Sequence, residues 1–327
     1  MYKRQALSEA FRYRAGQFCT FRVRLDGGEH LRSYSMSSSP ETDTEMTVTV
    51  KRVPGGLVSN WFNDHVAVGD LVEATRPAGV FCVRETGRSV VAFCGGSGVT
   101  PVISIAKSAL AATDRSVRIL YANRDRDSVI FDDALKDLVG RHADRLELHH
   151  HFDADGGYLD AEAIAAFTAS TLDADFYICG PTPFMDLVEA TLLGMGVTED
   201  RILIERFGTP VGPTELPASE DATGPEAEAE AQAEGTTTVT LILSGRTTEV
   251  AYRTGDTVLE TARRGGLQPP YSCEAGNCAT CMGIVREGAA TMRANNALTP
   301  EELEEGWVLT CQAVPTTPTI TVEYESF

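Results

Sequence analysis

Between residues 89 and 207 short apolar runs alternate with amphipathic stretches, regularly enough to read as a succession of elements. Residues 90–93, 117–121, 146–150, 176–179 and 202–204 read as buried strands, and residues 102–112, 133–139, 160–169 and 183–193 as helices. Strand and helix in strict alternation predict a parallel sheet covered on both faces. Upstream the period changes. Phe21, Val23 and Leu25 alternate with Arg22 and Arg24, and Met46, Val48 and Val50 with Thr47, Thr49 and Lys51, the pattern of half-buried antiparallel strands. Glycine and proline at Gly27-Gly28, Pro54-Gly55-Gly56 and Pro77-Ala78-Gly79 cut this region into the short strands of a small antiparallel β-barrel.

A chain of 327 residues exceeds one ordinary core, so several domains are expected. No stretch approaches the run of about 20 apolar residues a spanning helix needs, and the N-terminus lacks an apolar signal region, so the expected setting is cytoplasmic. The net charge of -19 argues against nucleic acid as a partner, because phosphate binding requires a basic face. Part of that charge is local. Glu215, Glu220, Asp221, Glu226, Glu228, Glu230 and Glu234 crowd residues 208–236, which hold four prolines and no lysine or arginine. Such a stretch reads as a self-repelling flexible linker. The expected division is therefore residues 1–88, 89–207, the linker 208–236, and a domain at 237–327. Met1-Tyr2-Lys3-Arg4-Gln5 matches a library adapter read in frame and is set aside as a sequencing scar.

Four cysteines change the picture. Cys273, Cys278 and Cys281 form a C-x4-C-x2-C loop and Cys311 follows on a later strand, the spacing of plant-type [2Fe–2S] ligands. Ala275, Gly276 and Ala279 let the backbone wrap closely enough for N–H groups to face sulfur. Structural zinc is the alternative, but it usually takes paired C-x2–4-C knuckles. A disulfide framework is disfavoured by the length of the chain.

Two loops leave the carboxyl ends of predicted strands, where open α/β sheets bind ligands. In the first, Gly95-Gly96-Ser97-Gly98-Val99-Thr100-Pro101, glycine permits close approach of a diphosphate, Thr100 is the expected helix cap, and Pro101 suits the first turn. Its spacing departs from G-x-G-x-x-G. The second is Cys179-Gly180-Pro181-Thr182-Pro183-Phe184-Met185. Arg32-Ser33-Tyr34-Ser35, judged on strand chemistry alone, is a solvated edge. His149-His150-His151 alternate in direction and have no second ligand cluster, so metal binding is not expected. Cys19, Cys82 and Cys94 read as small core residues. Thr257 or Asp256 with Glu260 reads as a helix start, and Gly265 as its end.

Taken together, these segments resemble the ferredoxin–NADP reductase superfamily, in the arrangement of oxygenase reductases with a C-terminal [2Fe–2S] domain. The resemblance implies a flavin β-barrel, a nicotinamide α/β domain and a β-grasp ferredoxin domain. By resemblance Arg32 pairs with a flavin phosphate, Tyr34 packs on the isoalloxazine, and Ser35 hydrogen-bonds near N5. Gly56, Leu57, Val58 and Ser59 resemble the second flavin motif, which favours FAD over FMN. Gly95, Gly96, Ser97, Gly98, Thr100, Gly180 and Pro181 would hold the nicotinamide cofactor, with Asn123 and Arg124 at its adenosine half. Cys179 resembles the family cysteine beside the nicotinamide, and Glu205 and Phe207 an acidic group and an aromatic ring brought to the flavin. Relatives have further strands before the segment at residues 11–24, so the barrel is expected to be incomplete.

The implied activity is an NAD(P)H-dependent reductase that feeds a separate terminal oxygenase, such as a steroid or aromatic hydroxylase, an acyl-CoA epoxidase or a desaturase. Hydride passes to the flavin beside Ser35, and electrons leave singly through a cluster whose potential lies near about −400 mV. NADH is favoured over NADPH by resemblance. Arg124 and Arg126 suit a 2′-phosphate, whereas Asp125 and Asp127 oppose it. A redox sensor or storage protein, and a chain acting only as a ferredoxin carrier, are the alternatives.

Overall fold

The computed structural model describes residues 12–25, 27–207, 238–271, 274 and 276–324. The expected adapter scar, the acidic linker and Cys273 lie outside the described residues. The chain divides into two compact units, Met1–Phe207 and Gly208–Phe327.

In the first unit β1 (Phe18–Leu25) and β2 (Gly28–Ser35) pair antiparallel along their length, and β3 (Glu73–Ala74) joins the other side of β1. The period-two pattern works as predicted. Phe21 and Val23 enter a core with Val58 and Phe62 of helix α1 (Leu57–His65). Arg22 and Arg24 point outward to Glu29 and Glu73. The strand expected at residues 46–50 does not form as one. It is reduced to a single bridge, Met36 to Val48. Hydroxyl side chains take over part of the ladder there: Thr47 N–H donates to Ser38 Oγ at 2.8 Å, while Ser37 N–H donates to the Thr47 carbonyl.

The remainder of this unit alternates as its pattern predicts. The strands are β4 (Val90–Gly95), β5 (Val117–Asn123), β6 (Leu146–Phe152), β7 (Asp175–Cys179) and β8 (Ile202–Glu205). Helices α2 (Val99–Ala112), α3 (Asp132–Arg141), α4 (Asp153–Gly156), α5 (Ala161–Thr168) and α6 (Thr182–Gly194) connect them. The sheet is parallel throughout, in the order β6-β5-β4-β7-β8. Alternate residues of each strand supply its two faces. Ala92, Ile119, Tyr121 and Tyr177 pack with α2 and α3, and Val91, Phe93, Phe176 and Ile178 with α5 and α6. The order reverses at β4, so the carboxyl ends of β4, β5 and β7 bound a crevice of the kind in which open sheets bind ligands.

One expectation fails at this crevice. Thr100 does not cap α2, which starts one residue earlier, at Val99, after a 3-10 turn at Gly96–Gly98. The Thr100 hydroxyl instead donates to the Ser97 carbonyl at 2.9 Å. The front of α2 therefore keeps its N–H groups free of any side-chain cap.

Helix α2 also ties the sheet to the antiparallel region. Ser104 Oγ donates to the Ser38 carbonyl at 2.5 Å and accepts from Gly16 N–H at 3.3 Å. Ser108 bonds Ser39 at 2.9 Å and Glu41, and Lys107 reaches the Ser37 carbonyl and Asp43. The segment they hold begins directly after Ser35, the last residue of β2. At the opposite end of the sheet, Arg115 and Asp175, 3% and 0% exposed at the side chain, form an ion pair at 2.7 Å. Arg115 donates further to the carbonyls of Arg84 and Arg88, and Thr86 to Asp175.

The second unit is a β-grasp. β9 (Thr238–Leu243), β10 (Arg246–Ala251), β11 (Met282–Glu287), β13 (Trp307–Leu309) and β15 (Thr319–Tyr324) form a sheet in the order β10-β9-β15-β11-β13. β15 runs parallel to β9, and the other pairs are antiparallel. β12 (Ala290–Met292) and β14 (Ala313–Pro315) pair separately. Helix α7 (Val258–Arg264) lays Val258 and Ala262 on Val239, Leu241 and Val322. It starts at the Thr257–Glu260 capping box and ends at Gly265, as its sequence predicts. Helix α8 (Pro300–Glu304) is capped likewise by Thr299 and Glu302. Among the described residues no helix is long and apolar enough to cross a membrane.

Replacing Asp175 with alanine strands the Arg115 charge in the interior. The expected loss is about 3–5 kcal/mol of unfolding free energy, measured by urea denaturation.

Candidate functional site

At the crevice the surface is formed largely by backbone. A Cβ on Gly98 would lie 2.0 Å from the Cys179 carbonyl oxygen and 2.8 Å from the Gly180 nitrogen. One on Gly95 would lie 2.8 Å from Pro181 Cδ. Thus Gly95, Gly98, Gly180 and Pro181, far apart in sequence, are pressed into one floor. Gly96 adopts φ +54° and its carbonyl accepts from the Tyr121 hydroxyl at 3.0 Å. That hydroxyl accepts in turn from Ile130 N–H at 3.1 Å, so one buried tyrosine fixes both the glycine loop and the loop after β5. With uncapped N–H groups at the head of a 14-residue helix, this cradle suits a diphosphate.

Beside the floor, Cys179 and Glu205 sit opposite each other on β7 and β8, and Cys94 opposes Cys179 on β4. Burial pushes the Cys179 thiol well above its ordinary value, and the neighbouring Glu205 adds to the effect. Glu205 is 8% exposed, and burial raises its carboxyl to about 8. Burial therefore favours its protonated form. Phe207 is 41% exposed two residues later.

The Arg32-x-Tyr34-Ser35 stretch occupies the end of β2. Ser35 is 3% exposed, and its hydroxyl has no hydrogen-bond partner among the described residues. Tyr34 packs edge-on against Phe62 at 5.6 Å and against Phe21 at 5.9 Å, and burial pushes its phenol to about 12. Arg32 folds back to the Leu31 carbonyl at 2.7 Å. The Pro54-Gly55 turn, with Gly55 at φ +71°, leads into α1 at Gly56, again with no side-chain cap. Ser59 Oγ accepts from Val53 N–H, Val58 is buried in the core, and Leu57 is exposed. An orphaned buried hydroxyl, an arginine and a second uncapped helix start fit a flavin carrying a diphosphate.

In the β-grasp unit Cys278, Cys281 and Cys311 are all buried. Cys281 is raised well above an ordinary thiol, first by its hydrogen bond with Cys311 and then by burial. Glu274, Gly276 and Ala279 take positive φ values of 51°, 78° and 50°, which curl the loop. A Cβ on Gly276 would lie 3.0 Å from the Ala294 carbonyl. Arg263 clamps Glu274 at 2.8 and 2.9 Å, and Gln312 holds the Glu274 carbonyl at 2.8 Å. Soft thiolate donors in a tightly turned loop fit an iron–sulfur cluster.

Three family models match stretches of the chain. Residues 3–82 match an oxidoreductase FAD-binding domain, residues 93–190 an oxidoreductase NAD-binding domain, and residues 241–316 a 2Fe-2S iron-sulfur cluster binding domain. The ferredoxin reductase component of 3-ketosteroid-9-alpha-monooxygenase from Mycolicibacterium smegmatis is 36% identical over 97% of this chain and 89% of its own. The chain belongs to the ferredoxin–NADP reductase superfamily, among the oxygenase reductases with a C-terminal [2Fe–2S] domain. One of the subunits of the 1,2-phenylacetyl-CoA epoxidase of Escherichia coli is 33% identical, with 98% of this chain and 91% of that one covered. Phthalate dioxygenase reductase shares the architecture at a TM-score of 0.55 and 25% identity, over 95% of this chain and 88% of that one. This oxygenase reductase is accordingly an electron-transfer oxidoreductase with FAD-, NAD- and [2Fe–2S]-binding domains.

Sequence reasoning missed Lys51, whose ammonium lies 3.4 Å from where a Gly96 Cβ would stand. Its alternation puts it on the polar side of a strand that does not form. Tyr121, legible only as a strand residue, carries no sequence signal for its bridging hydroxyl. The three histidines take separate neighbours: Glu147 for His149, the Gly157 carbonyl for His151, and a stack on Phe152 for His150.

Gly98→Ala forces the two loops apart. It should abolish NAD⁺ binding by calorimetry and lower stability by about 1–3 kcal/mol. Glu205 makes stability depend on pH. The folded carboxyl keeps its proton up to about pH 8, while an unfolded one releases it near 4.5, so stability falls as pH rises through that window. Melting temperatures of Glu205→Gln should lack this fall.

Proposed function

We propose that this reductase draws electrons from NADH and delivers them to a terminal oxygenase in the cytoplasm. Residues 1–88 would bind FAD, residues 89–207 the nicotinamide cofactor, residues 208–236 would form a linker, and residues 237–327 would carry the cluster. The observation that carries the reading is the unpaired, buried Ser35 hydroxyl at the end of the Arg32-x-Tyr34-Ser35 strand, in the same compact unit as the Gly98–Gly180 floor. A flavin held there would supply the conversion between two-electron hydride chemistry and single-electron transfer.

The chain's own residues hold and shield these groups. Arg32 and Lys51 are basic side chains, Arg32 on the flavin strand and Lys51 over Gly96. Ser35 offers its free hydroxyl to the flavin ring, and Tyr34, braced by Phe62, presents an aromatic face. Gly56 and Ser59 lie at the start of α1, where backbone N–H groups receive an anion. Gly95, Gly96, Ser97 and Gly98 do the same at α2. Cys179 presents a neutral thiol, and burial favours the protonated form of the Glu205 carboxyl. Cys273, Cys278, Cys281 and Cys311 would ligate the two irons, with Arg263 and Gln312 holding the loop. The names of the relatives favour a steroid or aromatic-ring hydroxylase, or an acyl-CoA epoxidase, as the acceptor.

Anaerobic titration with NADH should bleach the flavin and iron–sulfur absorption together. Cys278→Ser should keep ferricyanide reduction and abolish transfer to the oxygenase. Equal loss of both activities would mean that electrons do not pass through the flavin before the cluster.

A further inference from the structure

The loop after β5 carries two arginines and several aspartates, and the side chains show what each is doing. β5 lies beside β4 in parallel register, Ala122 opposite Gly95, so Asn123 and Arg124 leave the sheet next to the glycine loop. With a diphosphate on that loop, the end of the adjacent strand is where the adenosine ribose is read. An acidic or neutral group there meets a 2′-hydroxyl, whereas an arginine receives a 2′-phosphate. Asn123 is 5% exposed, and its amide lies beside the Tyr121 hydroxyl. An amide that can both donate and accept matches a ribose hydroxyl.

Arg126 does not stand ready for a phosphate. Arg126 is held by Asp155 of α4 through two bonds, Nη1 to Oδ1 at 3.2 Å and Nη2 to Oδ2 at 2.9 Å. Its guanidinium also lies 4.5 Å from the centroid of the Phe152 ring, which is itself stacked on His150 at 5.5 Å and 7°. The Nη1/Nη2 edge and one face of the guanidinium are thus occupied. Arg124 is 82% exposed at the side chain and makes a 3.5 Å pair with Asp125, whose other carboxylate oxygen accepts from Ser128 N–H at 2.9 Å.

We propose that Asp155 is a specificity-determining residue that favours NADH over NADPH, by holding Arg126 in a bidentate pair and adding its own charge against a 2′-phosphate. The proposal rests on the glycine floor being the dinucleotide site. Asp155 lies on a different crossover from the arginine it controls. The pair is exposed, 69% and 55% at the two side chains, so its effect is bounded and salt-sensitive.

The test measures binding, so that it does not depend on turnover. Dissociation constants for NAD⁺ and NADP⁺ are determined by calorimetry at low ionic strength, on flavin-loaded wild type, Asp155→Asn, and Asp155→Asn combined with Arg126→Ala. Freeing the fork should tighten NADP⁺ binding about fivefold, the upper range for an exposed ion pair, and move NAD⁺ much less. The double variant should lose that gain. Unchanged NADP⁺ affinity in Asp155→Asn overturns the proposal, as does a gain that survives removal of Arg126. Wild type binding NADP⁺ as tightly as NAD⁺ overturns it too. Wild type that binds neither nucleotide overturns the dinucleotide reading itself, and this is seen before any variant is compared.

Discussion

The nicotinamide half depends on one steric constraint: two backbone segments, Gly95–Gly98 and Cys179–Gly180, meet where no side-chain carbon fits. With a hypothetical Gly98 Cβ 2.0 Å from a carbonyl oxygen, the contact leaves no freedom in residue type. It fixes how closely α2 approaches the end of β7, and hence where the helix N-terminus points. Tyr121 extends the same constraint sideways by bonding the Gly96 carbonyl and Ile130 N–H. Position, rather than side-chain chemistry, is what this floor supplies.

The thiols and carboxyl around the floor follow from that closeness. Cys94, Cys179 and Glu205 lie on neighbouring strands in register, in a corner with almost no solvent. Burial there favours neutral forms, which raises both thiols and the carboxyl. Ser35, in the antiparallel region, is likewise buried without a partner. A protein rarely leaves such groups unmatched unless something else supplies the match.

Much of this was legible in the sequence because its signals are local. Alternating apolar runs placed the parallel sheet, Thr257 and Glu260 placed the start of α7, and the glycine loops marked the crevice. What escaped depends on contacts between distant segments. Residues 46–50 have strand periodicity, yet the hydroxyls of Ser37 and Ser38 intervene in the ladder. Thr100 has the chemistry of a cap, yet the helix already begins at Val99, after the 3-10 turn, and leaves Thr100 inside its first turn. Lys51 and Asp155 acquire their neighbours only through the fold, and nothing in their flanking residues announces Gly96 or Arg126. The cluster loop was the clearest case in the other direction, because cysteine spacing reports ligand geometry directly, although Cys273 lies outside the described residues.

The seam between α2 and the segment after Ser35 is built from hydroxyls, a lysine and two carboxylates instead of apolar surface. Hydrogen bonds of this kind are directional, so the partners on one side are meaningful only with those on the other. The antiparallel and parallel regions are thus not interchangeable parts, however readily family comparison separates them. A chimaera that grafts residues 12–82 onto another reductase would need Ser104, Lys107 and Ser108 to travel with it. The seam, rather than either lobe alone, is therefore the part that such a graft has to preserve.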